Sequence, residues 1–211
     1  WVRAGSVTAC AAYPSNSDDA AAGLDIDVAG LSFDSPDGSH AGEALDLELS
    51  ALMRFPDGVS VESSGKISTG QLLLGQFYGD FARSPMMFDL APGLDGGDLR
   101  AVKARIEDDG PLRADLLFEN GEGSNWTVRI DRLDLGFPGA YERYIEPFAA
   151  TWMLDGLEVT GRMSWSGAWG PAGLDSGDLD VFDLSVVDVE RGRFALTGFS
   201  TRLRPGSEDY T

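Results

Sequence analysis

The stretch from Leu179 to Leu203, LDVFDLSVVDVERGRFALTGFSTRL, constrains this chain more than any other. Its first arm sets Leu179, Val181, Leu184, Val186, Val187 and Val189 among aspartates, and its second carries Phe194, Leu196 and Phe199. Glu190-Arg191-Gly192 joins them. Half-apolar, β-branched arms linked by a few polar residues and a glycine read as a β-hairpin. Leu179, Phe182, Val186 and Val189 also fall at helical spacing, so a helix competes. Valine and aspartate are poor helix formers, and their density favours strand. The alternation changes parity near Val181-Phe182 and again near Val186-Val187, which predicts one or two β-bulges.

The same grammar runs through the rest of the chain. Leu24, Ile26 and Val28 alternate with polar residues, continue to Leu31 and Phe33, and stop at Asp34-Ser35-Pro36-Asp37-Gly38, a turn cluster. Leu45, Leu47 and Leu49 alternate with Asp46, Glu48 and Ser50, and Pro56-Asp57-Gly58 turns the chain back through Val59 and Val61. In Ile67 to Phe81, the glycines Gly70, Gly75 and Gly79 predict strand, kink, strand. Met86 to Leu90 lead to Pro92-Gly93. Leu99, Val102, Ala104 and Ile106 precede a turn at Asp108-Asp109-Gly110-Pro111, after which Leu112, Ala114, Leu116 and Phe118 alternate cleanly. Asn120-Gly121 ends that arm, and Trp126, Val128 and Ile130 start the next. Leu157, Val159, Met163 and Trp165 form another.

These arms predict a mainly β fold, a curled antiparallel sheet (a groove or an open barrel) built from successive hairpins. Only Phe137 to Leu154 breaks the pattern. Tyr141, Tyr144, Ile145 and Phe148 repeat at helical spacing, Pro138 suits a first turn and Pro147 ends it, so one short helix is expected near residues 140–146. Gly167 to Gly177, rich in Gly and Pro, reads as a loop. Residues 1–23 lack clear periodicity and read as a flexible leader, residues 24–204 as a single elongated antiparallel β domain, and residues 205–211 as a tail.

Composition narrows the function classes. A net charge of -19 weighs against nucleic acid or an anionic membrane surface as a partner. The single cysteine, Cys10, allows neither an intramolecular disulfide nor a cysteine metal cluster, and no cofactor or metal is expected. No run reaches the length of a membrane-spanning helix. The chain starts at Trp1 and is expected to be a processed or excised part of something longer.

No catalytic residue is assigned. His40, the only histidine, stands in a polar turn and reads as solvated. The carboxylates Asp25, Asp27, Asp46, Glu48, Asp131, Asp134, Asp178, Asp180 and Asp183 fall at alternate strand positions or in turns, as on the solvated face of a sheet. Glu107-Asp108-Asp109 lacks the ligand spacing of a calcium loop. Asn125-Trp126-Thr127 fits a glycosylation acceptor only as a short pattern, and Gly121 and Gly123 lack what a phosphate loop needs.

Geometry says more. Strands with one apolar face must cover it with a second sheet, a helix or a ligand, and one short helix is too little for so much sheet. The alternating set Leu116, Phe118, Trp126, Val128, Val159, Met163 and Trp165 either closes on itself or lines a groove that takes lipid.

The run FENGEGSNWTVRIDRLDLGFPGAYERYIEPFAATWMLDGLEVTGRMSWSG, followed by LDVFDLSVVDVERGRFALTGFSTRLRPG, resembles the AsmA-like group of bacterial envelope proteins, and most of all its YdbH branch. STGQLLLGQFYGDF is similar to the way that family begins a new group of strands. The resemblance covers roughly Gly65 to Pro205. It implies a segment of a periplasmic β-groove that shields phospholipid acyl chains between inner and outer membranes, in a parent protein anchored in the inner membrane, with apolar lining residues and no catalytic motif. The rival expectation is a secreted β-sandwich that binds or cleaves glycans through exposed tryptophans and a carboxylate pair.

Overall fold

A computed structural model describes residues 1–13, 21–54, 60–75, 77–95, 98–120, 126–146, 156–170 and 173–204. Twelve strands run through them: β1 (Val2–Ala12), β2 (Ala21–Asp34), β3 (His40–Arg54), β4 (Ser60–Leu74), β5 (Phe77–Asp80), β6 (Met86–Asp95), β7 (Asp98–Asp108), β8 (Leu112–Asn120), β9 (Trp126–Phe137), β10 (Leu157–Gly170), β11 (Gly173–Asp188) and β12 (Ala195–Leu203). The fold is an antiparallel sheet of successive hairpins that follows chain order and does not close into a barrel. Contacts group into two compact units, Trp1–Asp109 and Gly110–Thr211. In the first the order is β1-β2-β3-β4-β6-β7, with β5 folded back on the end of β4; in the second it is β8-β9-β10-β11-β12.

The turns form where the sequence places them. Ser35 N–H donates to the His40 carbonyl at 2.7 Å and Gly38 N–H to the Ser35 carbonyl at 3.0 Å, closing the β2–β3 turn. The Asp37 carboxylate accepts from the hydroxyls of Ser35 and Ser39 and from the Ser39 N–H, which hold it well below the usual carboxylate range. The opening hairpin is β11–β12. Its turn is built on Asp188, whose carboxylate, almost fully buried, accepts from the backbone N–H of Arg191 at 3.0 Å and from the Arg193 guanidinium. Pro56-Asp57-Gly58, Gly121, Gly123, Asn125, Pro147, Phe148, Trp152, Leu154 and residues 205–211 lie outside the described residues.

Bulges supply a repeated device. In the first unit Gly30 on β2 and Ala44 on β3 both have positive φ, at 63° and 50°. Gly30 N–H donates to the Asp46 carboxylate at 2.8 Å, and Ala44 N–H donates to the Ser32 hydroxyl at 3.0 Å. In the second unit Asp183 on β11 and Gly198 on β12 have φ of 48° and 64°. Asp183 N–H donates to the Ser200 hydroxyl at 2.9 Å, and Gly198 N–H to the Ser185 hydroxyl at 3.0 Å. Each time the acceptor stands two residues after the bulged residue of the facing strand, and the intervening Leu31, Leu45, Leu184 or Phe199 pairs with its counterpart across the bulge. A bulge frees a ladder N–H, and this exchange satisfies both freed groups. The strand beyond comes close to the kink. A Cβ on Gly70 of β4 would lie 2.5 Å from the Ala44 carbonyl oxygen, and one on Gly161 of β10 would lie 2.6 Å from that of Asp183.

Four expectations need correction. Residues Val2–Ala12 are not a loose leader but strand β1, paired from Ala12↔Gly23 to Val2↔Phe33. Every residue of β1 is exposed, and the strand is held at the edge by its backbone ladder and by the Arg3 guanidinium, which donates to the Asp34 carboxylate of β2 at 2.8 Å. Gly167 to Gly177 is not a loop throughout, because β10 runs to Gly170 and β11 starts at Gly173. There glycine makes room rather than a turn: a Cβ on Gly177 would stand 2.7 Å from the indole Nε1 of Trp165. The second parity shift falls between Leu184 and Val186, not at Val186-Val187. The short helix sits where helical spacing puts it, but Tyr141–Ile145 is wound as a π-turn, with Glu146 N–H donating to the Tyr141 carbonyl.

Candidate functional site

Residues facing each other in an antiparallel ladder lie on the same face of the sheet, so register alone assembles the apolar face of the second unit. Leu112, Leu135, Met163 and Val181 form one row across β8 to β11. Ala114, Leu133, Trp165, Leu179 and Leu203 form the next, reaching β12. Beyond them come Leu116 and Ile130, then Phe118 and Val128. Simple alternation along β9 would put Ile130 and Leu133 on opposite faces. The extra residue at Asp131 restores them to one, shifting register against both neighbours, between Asp115 and Leu116 on β8 and between Trp165 and Gly167 on β10.

Five of the seven expected lining residues fall on this face. Leu116, Phe118, Val128, Met163 and Trp165 are half-buried, while the side chain of Trp126, whose backbone pairs with Asn120 at the start of β9, lies outside the described residues. Val159 is in a different setting. It is buried beneath Tyr141, with Phe137, Leu157, Leu184 and Val186 packed around the pair. The π-turn closes that end of the face, so Val159 belongs to a small core, not to an open lining. Toward β12 the face opens to solvent, with Leu196, Phe199 and Leu203 all exposed.

The first unit repeats the arrangement. Ala9, Ile26, Leu49, Gly65, Phe88 and Ile106 make one row across β1, β2, β3, β4, β6 and β7, and Val7, Val28, Leu47, Ile67 and Met86 make another. Aromatic rings lie over glycines here as well. A Cβ on Gly65 would meet the Phe88 ring at 2.4 Å, and one on Gly42 the Phe33 ring at the same distance. Full burial is scarce: among the described residues only eleven hydrophobic side chains are buried, four of them alanines. A second packed layer would bury the rows themselves.

The opposite face of the second unit is a lattice of charge. Arg129 pairs with Asp131 at 2.7 Å, Arg132 with Asp134, and Arg202 with Asp180, while the Ser164 hydroxyl donates to Asp134. This disposes of these carboxylates as the sequence suggests, spaced along a wet face and held by arginines. Around His40, Ser39 Oγ lies 2.6 Å from Nδ1 and 2.8 Å from Asp37. The hydroxyl therefore stands between acid and imidazole, whereas a nucleophilic triad needs the imidazole in the middle. Among the described residues no three His, Cys, Asp or Glu side chains are placed to hold a metal ion, and no helix is long and apolar enough to cross a membrane.

No family model, no curated protein and no solved structure matches this chain.

Proposed function

We propose that the apolar face of this sheet binds acyl chains, and that the chain is a segment of a periplasmic β-groove lipid-transfer protein of the AsmA-like kind, most like its YdbH branch, in a parent anchored in the inner membrane. One observation carries the reading: the rows through Leu133, Met163 and Trp165 are continuous from strand to strand, yet Leu112, Leu133, Leu135, Met163, Trp165 and Leu179 in them remain half-exposed. A continuous apolar strip suits a ligand that is long, flexible and chemically uniform. Each methylene laid on it gains roughly 0.8 kcal/mol when fully removed from water, and sliding by one methylene exchanges equivalent contacts, so movement along the strip meets low barriers.

The reading is tested by delipidating the protein and titrating it with a fluorescent phosphatidylcholine. Saturable binding is expected, together with co-purifying phospholipid in native mass spectrometry. Trp165→Asp, checked for retained β-structure by circular dichroism, should weaken binding about tenfold or more, because it sets a charge in the middle of the strip. Failure of both the native and the titrated protein to hold lipid would end the proposal.

A further inference from the structure

On the charged face of the second unit, a cavity of about 470 Å³ opens among Arg113, Arg132, Arg162, Asp134, Ser164 and Phe182. Its lining carries three guanidiniums and a single carboxylate, in a chain whose net charge is -19. Register explains how the sheet gathers them. Arg113, Asp134, Ser164 and Asp180 form one cross-strand row, and Gly136, Arg162 and Phe182 form the next. Gly136 has no side chain to fill the space between Arg162 and the Pro111 turn, whose carbonyl accepts its N–H at 2.8 Å.

The carboxylates nearby are already engaged. Asp134 accepts from Arg132 and from the Ser164 hydroxyl, and Asp180 is held by Arg202. Arg113 Nε is 3.7 Å from the Asp115 carboxylate, beyond hydrogen-bonding distance, and is buried without a hydrogen-bond partner. The Arg162 side chain makes no hydrogen bond or ion pair with any described residue. A guanidinium is planar, always charged and shaped to bind two oxygens at once, and several around one cavity suit a phosphate better than a single carboxylate. Phe182, opposite Arg162 and 45 % exposed, adds an aromatic wall that inorganic phosphate would leave unused.

From this we infer that the cavity binds the phosphate group of an organic phosphate monoester, with Arg162 as its main ligand and Phe182 against the organic part. The site is on the face opposite the acyl strip and stands or falls separately from it.

The probe is phenyl phosphate, titrated calorimetrically into the full chain at low ionic strength, with inorganic phosphate alongside. Phenyl phosphate is expected to bind saturably and more tightly than inorganic phosphate. Arg162→Gln, an exposed change that breaks no ion pair, should weaken it about tenfold, as loss of a charge-assisted contact does. Arg202→Gln, on the same face but outside the cavity, should change it less than about twofold. Phe182→Ala should remove the preference over inorganic phosphate. Equal losses in the two arginine variants would mean only general charge attraction and would overturn the site, as would absence of saturable binding. Sedimentation with phosphatidylcholine vesicles, with and without phosphatidic acid, identifies the source. Co-sedimentation that needs phosphatidic acid and is competed by phenyl phosphate assigns a lipid headgroup to the cavity, and phenyl phosphate binding without co-sedimentation assigns a soluble ester.

Discussion

At the scale of single residues, the bulge pairs carry the sharpest consequences. Ala44 holds a φ of 50° that costs a side chain with a Cβ about 1 kcal/mol relative to glycine. Ala44→Gly should therefore raise the thermal midpoint by about 2 °C, read by differential scanning calorimetry. Gly70 and Gly161 sit in the reverse situation, at φ of 91° and 115° and with a neighbouring carbonyl where a Cβ would go. Gly70→Ala and Gly161→Ala should each destabilise by more than about 2 kcal/mol in urea unfolding, because strain adds to a clash with backbone. Gly192, also at positive φ but with open space around it, provides the contrast: its alanine variant should lose only the conformational term, about 1 kcal/mol. If Gly70→Ala costs no more than Gly192→Ala, the close approach of β4 to the kink is wrong. The Asp183 bulge and the kink around Gly70 were legible, from the parity change near Val181-Phe182 and from the glycines of Ile67 to Phe81, but the reciprocal exchange was not. Gly-Leu-Ser at residue 30, Ala-Leu-Asp at 44, Asp-Leu-Ser at 183 and Gly-Phe-Ser at 198 show no common signal until the strands are paired, since each acceptor serves the facing strand.

At the scale of elements, the sequence was informative wherever one face of a strand is apolar. The arms around Leu24 to Val28, Leu45 to Leu49 and Leu112 to Phe118 form strands where alternation puts them, because burial of alternate side chains is what alternation encodes. β1 was missed because its ladder bonds use backbone common to every residue. The Gly-rich end of the β10–β11 hairpin was misread because the ring that covers Gly177 comes from Trp165 on the neighbouring strand. In the β11–β12 turn, Asp188 is held below the usual carboxylate range, first by the Arg193 guanidinium and then by the backbone N–H groups of Arg191 and Arg193. A carboxyl whose folded pKa is depressed contributes stability above its unfolded value and loses it as pH falls through the folded one. Protection of the Gly192 amide, which donates to the Asp188 carbonyl, should accordingly drop in hydrogen exchange as pH is lowered from neutrality to below the ordinary carboxylate range, after correction for the intrinsic rate. Asp188→Asn should show the low-pH protection already at pH 7. Unchanged protection in that variant would mean that the carboxylate does not organise the turn.

For the molecule as a whole, the proposed sites differ in the force that would fill them, and salt separates the two. An acyl chain on the strip through Leu133 and Trp165 would be held by removal of apolar surface from water, which salt leaves alone or strengthens slightly. A phosphate in the cavity of Arg113, Arg132 and Arg162 would be held by charge, and would also feel the repulsion of a chain at -19. Screening shortens the reach of both the local attraction and the wider repulsion, from about 30 Å at 0.01 M salt to about 3 Å at 1 M. The wider repulsion is already largely screened at 0.1 M, where the reach is about 10 Å, so raising sodium chloride from 0.1 M to 1 M acts mainly on the contact attraction and should weaken phenyl phosphate binding several-fold. Binding of a zwitterionic, net-neutral phosphatidylcholine probe should hold constant or tighten over the same range. Parallel loss of both would place the lipid probe's headgroup, not its chains, on the protein, and the apolar strip would then need another occupant.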